Sequence, residues 1–132
     1  MINLTDVYCT LGSYHALYEM LKERHPQENI SHRTMPTFKE HCRFVDSRPY
    51  AHWYLVDEGD EYCGAVFILD RETFSQIGLR VPDHLRAETL ALLMKKHPRK
   101  RFVANVAPGN ASLKKFYRKQ GFSLIQETYE RK

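Results

Sequence analysis

No stretch of the chain approaches the roughly 18 consecutive apolar residues that a helix needs to cross a bilayer. The N-terminal run MINLTDVYCT has no basic stretch followed by an apolar one, so no secretory leader is expected. Cysteine is scarce. Cys9, Cys42 and Cys63 are odd in number and widely spaced, which argues against a disulfide framework and a paired-cysteine metal knuckle and favours a reducing compartment. The seven histidines show no HExxH pattern and no pairing with cysteine, so no metal site is expected. Repeats, low-complexity tracts and Ser/Gly linkers are also lacking. The 132 residues therefore read as a single cytoplasmic domain spanning residues 1–132, near the modal domain size.

What is present is core-forming material. The chain is 42% hydrophobic and 27% charged, too apolar for disorder and polar enough for a solvated surface. Its net charge of +4 suits a polyanionic partner, whether a nucleic acid or a small phosphorylated ligand.

The periodicity gives an element order. Leu11, Tyr14, Leu17, Tyr18 and Leu21 recur at helical spacing over Gly12 to His25, with Ser13 as N-cap and Pro26 as the stop. A second helix follows Pro36, capped by Thr37, with Phe38, Cys42 and Val45 on one side. The period then becomes that of a sheet. His52–Val56 and Tyr62–Leu69 form a hairpin around Gly59, and Phe74–Val81 is a third strand ending at Pro82. Asp83 caps a helix to His97, Arg101–Val106 is a strand, and Asn110–Gln120 is a helix stopped by Gly121. Phe122–Thr128 reads as a last strand. The fold class is a mixed α/β sheet: an antiparallel meander, then a parallel βαβ unit, with helices on both faces.

The segment Val103–Phe122 carries the strongest signal. A strand ends in Val106, a short loop leads to Asn110, and Phe116-Tyr117 and Gly121-Phe122 follow in a fixed frame. Taken singly, each residue has an ordinary structural use: Asn110 as a helix cap, Phe116 and Phe122 as core, Gly121 as a helix stop. Taken together they resemble the C-terminal signature of the GCN5-related N-acetyltransferases (GNAT). The resemblance covers the chain from about Ala51 to its end.

That resemblance implies acetyl-CoA as co-substrate and Tyr117 as the general acid that protonates the departing thiolate. It implies that main-chain groups of Leu79 and Val81 pair with the pantetheine arm. It assigns the CoA diphosphate to Arg86, Ala87, Glu88, Thr89, Leu90 and Ala91 at the front of the crossover helix, and makes Asn110 a further cofactor contact. In this loop the chain departs from the family pattern. Thr89 and Ala87 stand where glycines are frequent, and Glu88 adds a negative charge. No general base stands out: Glu72, Gln76, His52 and His84 are near the expected elements, but glutamine cannot accept the proton. Two basic clusters remain, Lys95–Arg101 and Lys114–Lys119. Either is a solvated face or a site for an acidic partner or RNA.

The sequence thus points to an acetyl-CoA-dependent N-acetyltransferase acting on an amine, of a small molecule or of a protein. The alternative is a catalytically degenerate member of the same fold serving as a CoA-binding or protein-interaction module. Nucleic acid has the least support, and no residue argues for a particular oligomeric state.

Overall fold

The computed structural model describes residues 2–24, 34–98 and 100–131. A five-stranded sheet in the order β1-β2-β3-β4-β5 is its centre: β1 Ile2–Asp6, β2 His52–Glu58, β3 Glu61–Asp70, β4 Ser75–Arg80 and β5 Phe102–Ala104. The first four strands pair antiparallel, and β4 and β5 pair parallel. The parallel pair requires a crossover. A 3-10 turn, Asp83–Leu85, and helix α3, Arg86–Lys96, supply it.

Strand alternation divides the core into two layers. Tyr54, Val56, Val66, Ile68, Ile77 and Leu79 face α3 and α4 (Ala111–Lys119), where Leu90, Leu93, Leu113 and Tyr117 close that side. Burying a leucine such as Leu93 contributes roughly 1.5–3 kcal/mol. Trp53, Leu55 and Ala65 face the other way, against Val7, Leu17 of α1 (Ser13–Arg24) and Val45 of α2 (Phe38–Asp46). Helices on both faces of a mixed sheet are as the periodicity predicts.

Local chemistry explains the helix starts. Thr37 caps α2: its hydroxyl accepts from the Glu40 amide at 3.1 Å, and the Glu40 carboxylate accepts from the Thr37 amide at 2.8 Å. Asn110 caps α4, its side-chain oxygen accepting from the Leu113 amide. Two expected caps are corrected. Ser13 lies inside α1, fully buried, with its hydroxyl donating to the Val7 carbonyl at 2.9 Å, so it ties the helix to the preceding 3-10 turn, Val7–Cys9. Asp83 does not cap α3 either. The chain enters α3 through the 3-10 turn, and the Asp83 carboxylate binds Arg86 and Ser112.

Two strands are also corrected. β1 is not among the strands expected from the sequence, although Ile2 and Leu4 alternate with polar residues as a half-buried strand requires. Its pairing with β2 decides the matter, helped by the Thr5 hydroxyl donating to Asp57 at 2.8 Å. The expected strand Phe122–Thr128 does not form: residues 122–131 carry no helix or strand, and Leu124, Ile125 and Tyr129 are exposed. The edge strand β5 is itself only three residues long. So short a ladder cannot offset an ordering cost of about 1–2 kcal/mol per residue. His25 and Pro26, placed at the end of the first helix, lie outside the described residues.

Gly78 on β4 lies under the Phe67 ring, which stacks on Tyr50 at 3.9 Å, and a Cβ at position 78 would overlap that ring. Gly78→Ala is expected to destabilise the fold by about 1–3 kcal/mol in urea unfolding, through overpacking of that layer. A variant as stable as the parent would show that the ring yields at no cost.

Candidate active site

The cleft begins where β4 and β5 part. Their pairing runs through Ser75↔Phe102, Gln76↔Val103 and Ile77↔Ala104, and then stops. β4 continues to Arg80, still held on its other edge by β3 up to Ala65↔Arg80. The Ser75 amide donates to the Arg101 carbonyl at 2.7 Å, so alternate residues of β4 present their main-chain groups to the β5 side. Leu79 is in that set, two residues past the last pair. Its groups face the opening instead of a strand.

The opening is a cleft of ≈ 260 Å³, lined on the β4 side by Leu79, Arg80 and Val81, and on the far side by Asn105, Ala107 and Asn110. Gly64 of β3 forms part of the wall. A Cβ there would overlap the Arg80 carbonyl oxygen and come within 2.6 Å of Val81 Cγ1. The missing side chain lets β3 and the end of β4 approach each other while β5 swings away.

Arg86, the first residue of α3, is the cation fixed in this wall. Its guanidinium binds the Asp83 carboxylate at 3.0 Å and donates to the Ser112 hydroxyl at 2.9 Å, which in turn donates to Asp83 at 3.2 Å. The side chain is only 12% exposed, and its Nε is buried with no partner among the described residues. The clamped guanidinium lines the cleft and holds a fixed positive charge beside it.

The side chains of the other crossover-helix residues do not line the cleft. Glu88 turns to the sheet edge, its carboxylate accepting from the Ile2 amide at 3.1 Å. The charge that departed from the expected loop pattern is therefore used to fasten β1. Thr89 is fully buried and its hydroxyl donates to the Leu85 carbonyl, while Leu90 is core. Ala87 and Ala91 are exposed. Leu90 and Ala91 also lie past the first turn, where amides bond within the helix. This leaves Arg86, Ala87 and Glu88 as the front-turn amides, and the Arg86 amide is taken by the Asp83 carbonyl.

Tyr117 sits on α4 at 5% exposure, packed against Phe116 and Phe122. Burial pushes its hydroxyl up to about 12, partly offset by the nearby Arg80 and Arg86 guanidiniums. It does not line the cleft itself; Leu113, one turn earlier on α4, does. The four residues weighed as bases are not in the cleft either. His52 lies at the opposite end of the sheet, its ring 4.3 Å from that of His97. Sequence reading missed Met20, Glu23 and Cys63 as cleft residues. Met20 and Glu23 come from α1, so only tertiary packing brings them there. Of the basic clusters, Lys100 pairs with Asp70 at 2.7 Å and Lys114 donates to the Pro108 carbonyl, while Arg99 lies outside the described residues. No group of residues able to hold a metal ion is found among the described residues.

No protein-family model and no curated protein matches the sequence. Similarity is found in the architecture, which is that of the GNAT-type N-acetyltransferases. A domain from Methanocaldococcus jannaschii has a TM-score of 0.83 at 15% identity, over 98% of this chain and 93% of that one. An acetyltransferase from Thermus thermophilus has a TM-score of 0.78 at 18% identity, over 96% and 90%. The N-acetyltransferase PseH of Campylobacter jejuni, solved in complex with acetyl coenzyme A, has a TM-score of 0.68 at 17% identity, over 97% and 92%. At such identities the shared property is the fold.

The raised pKa of Tyr117 has a signed consequence. The unfolded chain releases this proton near the ordinary 10.0 and the folded one near 12. The stability linked to it is complete below the lower value and is lost as pH rises through the upper one. Tyr117→Phe is expected to flatten the alkaline fall in urea-measured stability and to remove one late step from the tyrosinate absorption titration. An unchanged alkaline limb would mean the phenol is not held this way.

Proposed function

We propose that the chain is an acetyl-CoA-dependent N-acetyltransferase that transfers acetyl directly to an amine. One observation carries the reading: β4 outruns β5, so the main-chain groups of Leu79 face a cleft instead of a strand, the carbonyl accepting from the Arg80 guanidinium at 3.4 Å, and the cleft wall holds the clamped Arg86. An extended amide-bearing arm can add to such an edge as a strand would, and its phosphates can meet the guanidinium.

Acetyl-CoA supplies a thioester carbon open to attack by an amine. The chain's own residues do the rest. Leu79 and Val81 orient the arm through their main chain. Arg86 sets its fixed positive charge beside the diphosphate, aided by the Ala87 and Glu88 amides at the positive end of α3; the expected roles of Thr89, Leu90 and Ala91 reduce to building that helix. Asn110 fixes the start of α4 and so sets where Tyr117 stands. Tyr117, its hydroxyl pushed up to about 12, keeps its proton at neutral pH as a general acid must; because it lies buried outside the cleft lining, α4 has to shift for that hydroxyl to reach a departing thiolate. The cleft volume suits a narrow arm more than an enclosed nucleotide, so the adenosine end lies over the open rim.

A second reading, a degenerate fold member acting as an interaction module, draws on Thr89. Its bulk stands where a glycine is frequent and its hydroxyl is used inside the helix. Ligand-linked stability separates the two. Acetyl-CoA in large excess over a micromolar dissociation constant is expected to raise the melting temperature by several degrees. Arg86→Ala is expected to weaken binding by about tenfold, the cost of one charge-assisted bond. Tyr117→Phe is expected to leave binding intact and to lower turnover about a hundredfold, the scale of a lost general acid. No melting shift at millimolar acetyl-CoA would favour the interaction module instead.

A further inference from the structure

The acceptor side of the cleft has its own chemistry. On the α1 side, Met20 and Glu23 line it beside Cys63 and Gly64 of β3. They are one turn apart on α1, so both side chains present on the same face. Among the described residues Glu23 is the one carboxylate lining the cleft, whereas Arg80 and Arg86 are its cations. The charge is therefore polarised. The arginines belong to β4 and the α3–α4 side, where Arg86 is locked to Asp83 and Ser112, and the glutamate belongs to the α1–β3 side. Lys22, the neighbouring cation on α1, is engaged with Glu19 at 3.4 Å, and none of the ion pairs among the described residues takes Glu23.

Resting on the N-acetyltransferase reading above, we propose that this rim selects an acceptor with a positive charge in addition to the amine that is acetylated, and that Glu23 holds that second charge. The chemistry favours a second charge over the reacting amine. The attacking nitrogen must shed its proton, and a carboxylate paired with it would favour the protonated form. A cation that stays charged throughout gains from the pairing without opposing the reaction. Met20 supplies an apolar surface for a methylene stem between the two nitrogens. The acceptor class is thus a diamine or a basic side chain carried beside a free amine. Glu23 acts as a specificity residue, not as the base.

The test compares three probes with the same five-carbon chain: diaminopentane, aminopentanol and pentylamine. With saturating acetyl-CoA, the parent protein is expected to use diaminopentane with a kcat/KM about three- to fivefold above the other two, the scale of one solvent-screened charge pair. Glu23→Gln is expected to erase that preference through KM, with kcat and acetyl-CoA affinity unchanged, and Glu23→Asp to keep part of it. Calorimetric binding of diaminopentane to the acetyl-CoA-saturated protein is expected to weaken in parallel and to fall with added salt. Glu23 is exposed, so these variants are expected to melt with the parent. Equal use of all probes, a preference surviving in Glu23→Gln, or acetyl-CoA binding with none of the amines acetylated would overturn the inference and leave the cofactor reading standing. Failure of the parent to bind acetyl-CoA would overturn both.

Discussion

Every feature of the candidate site depends on one mismatch of length: β4 runs to Arg80, but its parallel neighbour ends at Ala104, paired no further than Ile77. Main-chain groups that a longer β5 would have bonded are left facing a cleft. Buried main-chain polar groups without partners are costly, so an opened strand pair persists only where water or a ligand meets them. Two local features hold the parting in place. Gly64 lets β3 stay close to the end of β4, and the Asp83–Arg86–Ser112 contacts pin the start of α3 to the start of α4 on the other wall.

The residues around that opening divide their work by which way the helix turns them. Arg86 faces the cleft, Glu88 reaches back to β1, and Thr89 and Leu90 face the core. A sequence that looks like a damaged diphosphate loop is, in three dimensions, a helix whose front residue points at the cleft while the next ones anchor the sheet. The substitutions at 88 and 89 therefore change what α3 is fastened to more than they obstruct the cleft. Tyr117 follows a similar logic: its burial between Phe116 and Phe122 keeps the phenol protonated, and the two arginines nearby set the field it meets.

Much of this architecture was legible in the sequence because local signals and tertiary packing agree. The Thr37 capping box, the hairpin around Gly59, the Asn110 cap and the Gly121 stop each sit where residue type demands, with Gly59 and Gly121 in the left-handed region at φ 65° and 90°. Where they disagree, packing wins. β1 exists because β2 pairs with it, and residues 122–131 stay irregular although their apolar residues suggested a strand. The site was legible in part for the same reason. Leu79, Val81, Arg86 and Asn110 line one cleft because they belong to the strand–helix frame that the sequence spells out. Glu23 and Met20 were invisible because α1 reaches the cleft only through its docking on the far face of the sheet. The parting of β4 from β5 was equally hidden, because no residue encodes where a parallel ladder stops.

Amide hydrogen exchange at Leu79 and Val81, followed with and without saturating acetyl-CoA, tests the central claim at the atoms concerned. In the free protein these amides should exchange faster than those of Ser75 and Ile77, which lie within the paired part of β4. Acetyl-CoA should slow them selectively as the arm takes the place of the missing strand. Slow exchange at Leu79 in the free protein, or unchanged exchange at both residues once the ligand is bound, would contradict the account.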